Sequence, residues 1–208
     1  MRHIPLILCL VAALVGCSTP PVKLTPQEKD QVYDRFERSQ KEITYWQMNG
    51  RFSLRVDNHV HTGNITWVNN GASYGIKFSG PLDQSAVVIT SDGKTVTMKD
   101  NQGYEGTEST PEALLSRYTQ YEMPVSALKY WVLARPAPFK TPSLTLNPQG
   151  YPIGMQQDDW TVEYQYFREV GQYLLPSKII IHHPNMKLTL SIHDWKVSDK
   201  PYALPQSR

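Results

Sequence analysis

From Trp46 onward, apolar and polar residues alternate with a period of two, the mark of strands buried on one face. Met48, Phe52, Leu54 and Val56 alternate with Gln47, Asn49, Arg51, Ser53, Arg55 and Asp57. Ile65 and Trp67 alternate with Asn64 and Thr66, and Tyr74, Ile76 and Phe78 with Ser73, Gly75, Lys77 and Ser79. Similar runs predict strands over 85–90, 95–99, 160–167, 178–182 and 186–195. In the last run Met186, Leu188, Leu190 and Ile192 share one face, and Lys187, Thr189, Ser191 and His193 the other. Asp57-Asn58, Asn69-Asn70-Gly71 and Ser91-Asp92-Gly93 mark hairpin turns.

Helical signals are few. Thr25 can cap a helix, Pro26 suits its first position, and Glu28 completes a capping box. The helix that follows carries Val32, Tyr33, Phe36 and Ile43 on one narrow stripe, as expected of a helix laid on a surface or across an opening. Between the two groups of strands, Thr110-Pro111-Glu112 starts a second helix bearing Leu114, Leu115 and Tyr118. Pro124 and Val125 open a third, with Leu128, Trp131 and Val132, ending near Pro136. The fold class is therefore mainly β: an antiparallel sheet that must cover its apolar face by stacking on another sheet or by curling on itself. The pattern does not choose between sandwich and barrel, but a few short helices suit the capping of a curled sheet, and a barrel is the expectation.

The start of the chain changes the picture. Arg2 precedes an apolar run from Ile4 to Val15, which closes on Leu14-Val15-Gly16-Cys17. That is a secretory signal, too short to span a bilayer as a stable helix. The small residue before cysteine resembles a bacterial lipobox, which makes Cys17 the expected lipidation site, carrying a diacylglyceryl group and an N-acyl chain. Ser18 follows where an aspartate would hold a lipoprotein at the inner membrane, so the expected address is the outer membrane, facing the periplasm. Residues 1–16 then form the signal, 17–24 a lipidated tether, 25–198 the domain and 199–208 a loosely held tail.

Composition excludes several functions. The formal net charge is +2 and no block of like charges occurs, so nothing calls for nucleic acid. Of the two cysteines, Cys9 leaves with the signal and Cys17 is acylated, so the mature domain has no disulfide and no thiol chemistry. His182 and His193 could approach across a hairpin, but two ligands without a third make a poor metal site. Asp158-Asp159 stand where a turn wants aspartate. No Gly-rich phosphate loop and no Gly-x-Ser-x-Gly is present, so neither catalytic residues nor a cofactor is expected. Trp46, Trp67, Trp131, Trp160 and Trp195 fall on the apolar phase, which favours core or cavity lining over a sugar platform. Leu82, in Ser79-Gly80-Pro81-Leu82-Asp83, lies near a hairpin tip where a polar residue or glycine is usual. On the residues alone it folds back onto the core.

The ordered set of the lipobox, the capped helix, Gly50-Arg51-Phe52 and Pro81-Leu82 resembles the LolB family of outer-membrane lipoprotein receptors, within the LolA/LolB-like group. Met123-Pro124-Val125 with Leu128, Trp131 and Val132, then Trp160-Thr161-Val162-Glu163-Tyr164, Pro176 and Trp195, extend the resemblance over nearly the whole mature domain. It implies a half-open antiparallel β-barrel with an apolar cavity partly lidded by helices. It also implies a chaperone-like monomer that accepts acylated lipoprotein cargo from a LolA-like periplasmic carrier and inserts it into outer-membrane lipid. Phe52, Leu54, Trp67, Ile76, Phe78 and Trp131 are then the expected acyl-cavity lining, and Pro81 and Leu82 a membrane-insertion loop. Two departures stand out: Gly-Pro-Leu-Asp replaces Asn-Pro-Leu-Gly, and Ala134 stands where a glycine is usual. Alternatives are a lipoprotein that binds free lipid and an envelope-assembly lipoprotein with a packed core.

Overall fold

The computed structural model describes residues 24–80, 86–119, 121–138 and 141–206. Cys17, Pro81 and Leu82 lie outside the described residues. The chain runs α1 (Pro26–Lys41), β1 (Tyr45–Val56), β2 (His59–Asn70), β3 (Ser73–Ser79), β4 (Ala86–Ser91), β5 (Val96–Asp100) and β6 (Glu105–Glu108). It continues with α2 (Pro111–Thr119), α3 (Val125–Trp131), β7 (Ser143–Leu146), β8 (Pro152–Gln157), β9 (Trp160–Val170), β10 (Tyr173–His183) and β11 (Met186–Ser198). The strands form an eleven-stranded antiparallel sheet in the order β6-β5-β4-β3-β2-β1-β11-β10-β9-β8-β7. Its two end strands do not pair, so the barrel is half-open. Strands β6, β7 and β8 are missing from the sequence reading. The first two are four residues each and half exposed, which leaves little periodicity to detect.

Two meanders meet where β1 pairs with β11, and a bulge adjusts that seam. Asn49 stands opposite Asp194 and Gly50 opposite Ile192, so His193 is an extra residue. The extra residue lets Ile192 and Trp195 both face inward despite their odd spacing. Asn49 Nδ2 donates to Asp194 at 3.0 Å and Thr66 Oγ1 to Asn49 Oδ1 at 2.9 Å, pinning the bulge from outside. His182 stands opposite Lys187, six positions before His193 and about 20 Å from it along the strand. The two histidines therefore do not approach. Pro176 has no N–H to give, and β10 pairs with β11 only from Lys178 on. The Trp195 indole fills the gap, donating to the Pro176 carbonyl at 2.8 Å.

The capping box at Thr25 and Glu28 forms as expected. Helix α1 packs over the β9–β10 end: Phe36 meets Tyr151 and Phe167 edge to face, and Gln40 donates to the Leu174 carbonyl at 3.2 Å. Tyr166 takes a left-handed φ of +55° and is 75% exposed. It breaks the alternation of β9 and leaves Phe167 beside Tyr164 and Phe36. Asp158, at φ +54°, is a turn residue, as the sequence indicates.

The tail is not loose. Asn70 brackets Tyr202, accepting its N–H at 2.9 Å and donating to its carbonyl at 2.8 Å. A Cβ at Gly75 would lie 2.6 Å from Pro205, so glycine there lets the tail lie flat on β3. Gly75 pairs with Val68, on the face opposite Trp67 and Ile76, and the tail thus straps the outside of the sheet. A proline-containing stretch with little periodicity reads as a free end; only the folded face opposite it shows the docking place.

Candidate functional site: an apolar cavity beneath two helices

Strand register builds the site. Met48, Trp67, Ile76, Ile89 and Met98 form one row across β1 to β5, each opposite the next. Gly50, Ile65, Phe78 and Val87 form the neighbouring row. Gly63 faces Phe52, and a Cβ there would come within 2.9 Å of the ring. Phe52 occupies that space and meets Phe78 edge to face at 5.2 Å. Leu188 and Leu190 of β11 continue the wall opposite Leu54 and Phe52.

These walls enclose a cavity of about 270 Å³. Leu115 and Tyr118 of α2, Tyr121 and Met123 of the connection, and Val125 and Leu128 of α3 close it from above. Phe52, Leu54 and Phe78 are half-buried, whereas Ile65, Trp67, Ile76, Ile89 and Met98 are fully buried, so the cavity deepens from an accessible rim to an apolar floor. The indoles of Trp67, Trp46 and Trp195 pack in sequence behind it, at 5.4 and 5.5 Å. Among the described residues no carboxylate lines it, and His61, exposed at the rim opposite Leu54, is the one basic residue there. Such a space accepts hydrocarbon; a charge placed in it would be unpaired.

Phe52, Leu54, Trp67, Ile76 and Phe78 all line this cavity. Trp131 does not, and that expectation is corrected. It is 1% exposed, packs at a tilt against Trp160 with ring centroids 6.0 Å apart and donates its indole N–H to Gln157 Oε1 at 2.8 Å. Gln157, itself buried, also accepts the Ala137 N–H at 3.0 Å and donates to the Ala137 carbonyl at 2.8 Å. An amide with both donor and acceptor capacity ties the end of α3 to β8, so Trp131 anchors the lid instead of facing the cavity. The apolar phase of a helix marks its buried side but does not say which part of the interior that side meets.

Ala134 also belongs to this anchor. It takes a left-handed φ of +54° at the end of α3. Its N–H donates to the Trp131 carbonyl at 2.9 Å and that of Arg135 to the Tyr130 carbonyl at 3.2 Å, a Schellman closure in which glycine is the usual occupant. A glycine expected at this place would have a backbone reason, and alanine carries the strain here.

Surface bonds hold the helices down. Glu112 accepts the N–H and hydroxyl of Ser126 at 2.7 and 3.1 Å, joining α2 to α3. Arg117 pairs with Glu108, and the Tyr118 hydroxyl donates to Asp100 at 3.0 Å. Asp100 is held below the ordinary carboxylate range chiefly by the backbone N–H of Tyr104, then by Gln102 and Tyr118. Burial pushes the hydroxyls of Tyr33, Tyr74 and Tyr164 upward, so all three are neutral donors at physiological pH.

Val87, Ile89, Met98, Leu115, Tyr121, Met123, Leu188 and Leu190 are among the further lining residues that were not singled out as cavity residues. Alternation shows that most of them face inward; register, which sequence does not carry, decides which inward residues share the cavity.

Comparison with known proteins agrees with this geometry. Residues 44–195 match the family model "Outer membrane lipoprotein LolB". An outer-membrane lipoprotein LolB of Pseudomonas savastanoi pv. phaseolicola is 33% identical over 200 residues, covering 94% of this chain and 96% of the relative. That of Halorhodospira halophila is 31% identical over 194 residues, covering 91% and 94%. Among solved structures, a LolA superfamily protein from Nitrosomonas europaea superimposes with a TM-score of 0.54 at 11% identity, over 84% of this chain and 95% of that one, a likeness of fold alone. With its half-open barrel, its apolar cavity under two helices and relatives that span its length, this chain belongs to the LolB family of outer-membrane lipoproteins.

Proposed function

We propose that the protein is an outer-membrane lipoprotein receptor. It accepts acylated lipoproteins from a LolA-like periplasmic carrier and inserts them into the inner leaflet of the outer membrane. The observation that carries this reading is the cavity: its described walls are apolar and free of carboxylates, and it is graded from a half-buried rim to a buried floor. Acyl burial is worth about 0.8 kcal/mol per methylene, so a multiply acylated cargo cannot cross water unshielded. A sheet apolar on one face and curled into a cup supplies that shield. Transfer then needs no nucleotide and no catalytic group. It needs each station to hold the lipid better than the last, with the bilayer best.

The cavity of about 270 Å³ is at the small end for a ligand pocket. Cargo with several acyl chains requires α2 and α3 to rise, and the ties between Glu112 and Ser126 and between Tyr118 and Asp100 are polar surface bonds that break at modest cost. Acylation of Cys17 supplies the anchor on the periplasmic face, and Leu82 the wedge that enters the leaflet beside the cargo. Burying one leucine is worth about 1.5–3 kcal/mol, enough to hold a loop at the acyl boundary but not to anchor a protein.

The test separates acceptance from release. Phe52→Asp places an unpaired charge in an apolar wall and weakens binding of a fluorescent fatty acid, while Arg55→Ala, exposed on the outer face, does not. Circular dichroism confirms folding in each case. Leu82→Glu still takes lipoprotein from its carrier but releases it poorly into liposomes. Unchanged lipid binding by a folded Phe52→Asp protein refutes the acyl-cavity reading, and normal release by Leu82→Glu refutes the wedge.

A further inference from the structure

Among the described residues the exposed large apolar side chains are Val60, Tyr118, Ile153 and Tyr166. Tyr118 belongs to the lid and Val60 to the hairpin at the cavity mouth. Ile153 and Tyr166 have no such place. They stand on adjoining strands, β8 and β9, just past the last pair between them, Gly154 with Glu163. Irregular backbone puts both outside. Gly154 pairs with Thr145 and Pro152 with Leu146, so Ile153 is the extra residue of a bulge, 42% exposed. Tyr166, 75% exposed, holds a φ of +55° that is costly for any residue but glycine. A single exposed apolar side chain needs no explanation; two on adjoining strands, one of them on strained backbone, do.

The start of the domain lies at the same place. A Cβ at Gly150 would come within 2.7 Å of Val32 and 2.9 Å of the Lys29 carbonyl, so the first turns of α1 press on the β7–β8 turn. The chain therefore enters the domain at the closed end of the barrel, beside β8. The eight residues from Cys17 to Leu24 span at most about 29 Å when fully extended. Strand β1 alone runs from the closed end to the mouth over 12 residues, about 40 Å. A domain tethered to a bilayer through Cys17 cannot stand on it mouth down. It brings its mouth to that bilayer by lying along it, and the face next to the tether is the outer face of β8 and β9.

We infer that the outer face of β8 and β9, around Ile153 and Tyr166, rests on the bilayer that holds Cys17 and so brings the mouth to the leaflet. Tyrosine suits such a place, with an apolar ring to bury and a hydroxyl that stays wet. Charges on this face balance: His182 lies 3.3 Å from Glu163, and Arg168 adjoins Glu169. The contact is therefore apolar and needs no anionic lipid. The pose rests on the receptor reading for its anchor, Cys17, and adds to it the surface that touches lipid.

The test uses the acylated protein in phosphatidylcholine vesicles that carry a spin-labelled headgroup. With Cys17 acylated, a cysteine placed at Gln156 is the one free thiol of the mature chain and takes a fluorescent dye. Gln156 is exposed on the same face of β8; Asn64, exposed on the outer face of β2 across the barrel, is the control. The dye at Gln156→Cys is quenched and that at Asn64→Cys is not, at low and high salt alike. Tyr166→Glu with Ile153→Glu keeps its fold by circular dichroism and still floats with the vesicles. It shifts the balance toward the lifted pose by at least about tenfold, and quenching at Gln156 falls accordingly. Tyr166→Ser alone serves if the double variant misfolds. Equal quenching at the two sites, or unchanged quenching at Gln156 in the variants, overturns the proposal. So does an unquenched Gln156, the result for a face that binds another protein. Flotation separates the two readings. Wild-type protein that does not float fails the anchor and this pose with it, whereas protein that floats without quenching at Gln156 fails the pose alone.

Discussion

The link between Trp131 and Gln157 makes a quantitative test of how the lid is held. Gln157→Leu keeps the volume of the side chain but orphans the Trp131 N–H, the Ala137 N–H and the Ala137 carbonyl, now bonded at 2.8, 3.0 and 2.8 Å. Each buried orphan costs about 1–3 kcal/mol, so the variant loses roughly 3–9 kcal/mol. A domain of this size has about 5–15 kcal/mol in total. Trp131→Phe removes only one bond, because Gln157 Oε1 still accepts from Ala137, and shrinks a packed ring; about 1–3 kcal/mol is expected. The double variant is the decisive one. With no indole N–H to orphan, it is more stable than the sum of the single losses predicts, by about 1–3 kcal/mol. Urea unfolding followed by circular dichroism gives all three values, and fatty-acid binding is measured beside it. Additivity within about 0.5 kcal/mol would refute the coupling. Weakened lipid binding by a folded Trp131→Phe protein would return Trp131 to the cavity wall.

Three further outcomes are expected. Tyr166→Gly relieves a left-handed φ at an exposed site; about 1–2 kcal/mol of relief against about 0.5–1 of added chain entropy leaves a small gain in thermal stability, and a loss would show that the conformation is not strained. Gly75→Val collides with Pro205, detaches the strap and exposes residues 200–206 to carboxypeptidase, whereas unchanged resistance would mean that the tail is held elsewhere. Asp100, whose pKa is depressed in the folded state, stabilises the lid contact above the ordinary value of 3.8 and loses that contribution as pH falls through its folded pKa. Access of a lipid probe to the cavity is therefore constant near neutrality and rises only in that acid range, and Asp100→Asn removes the acid dependence.

Much of this protein is legible without coordinates because a one-sided sheet writes its inward face as a period of two. Met48, Phe52 and Leu54, or Leu188 and Leu190, can face only one way once the strand is recognised. The capping box at Thr25 and Glu28 and the turn at Asp158 are equally local, and local signals survive in the chain. What tertiary structure alone decided is which inward residues meet. The row from Met48 to Met98 depends on register across five strands, and the bulge at His193 resets the phase of β11 at a single position. Trp67 and Trp131 look alike in sequence, yet one faces the cavity and the other binds Gln157, because pairing partners far apart in the chain assign each to its place. The tail shows the same limit: nothing near Pro205 announces Gly75, 130 residues earlier, as the flat place on which it rests.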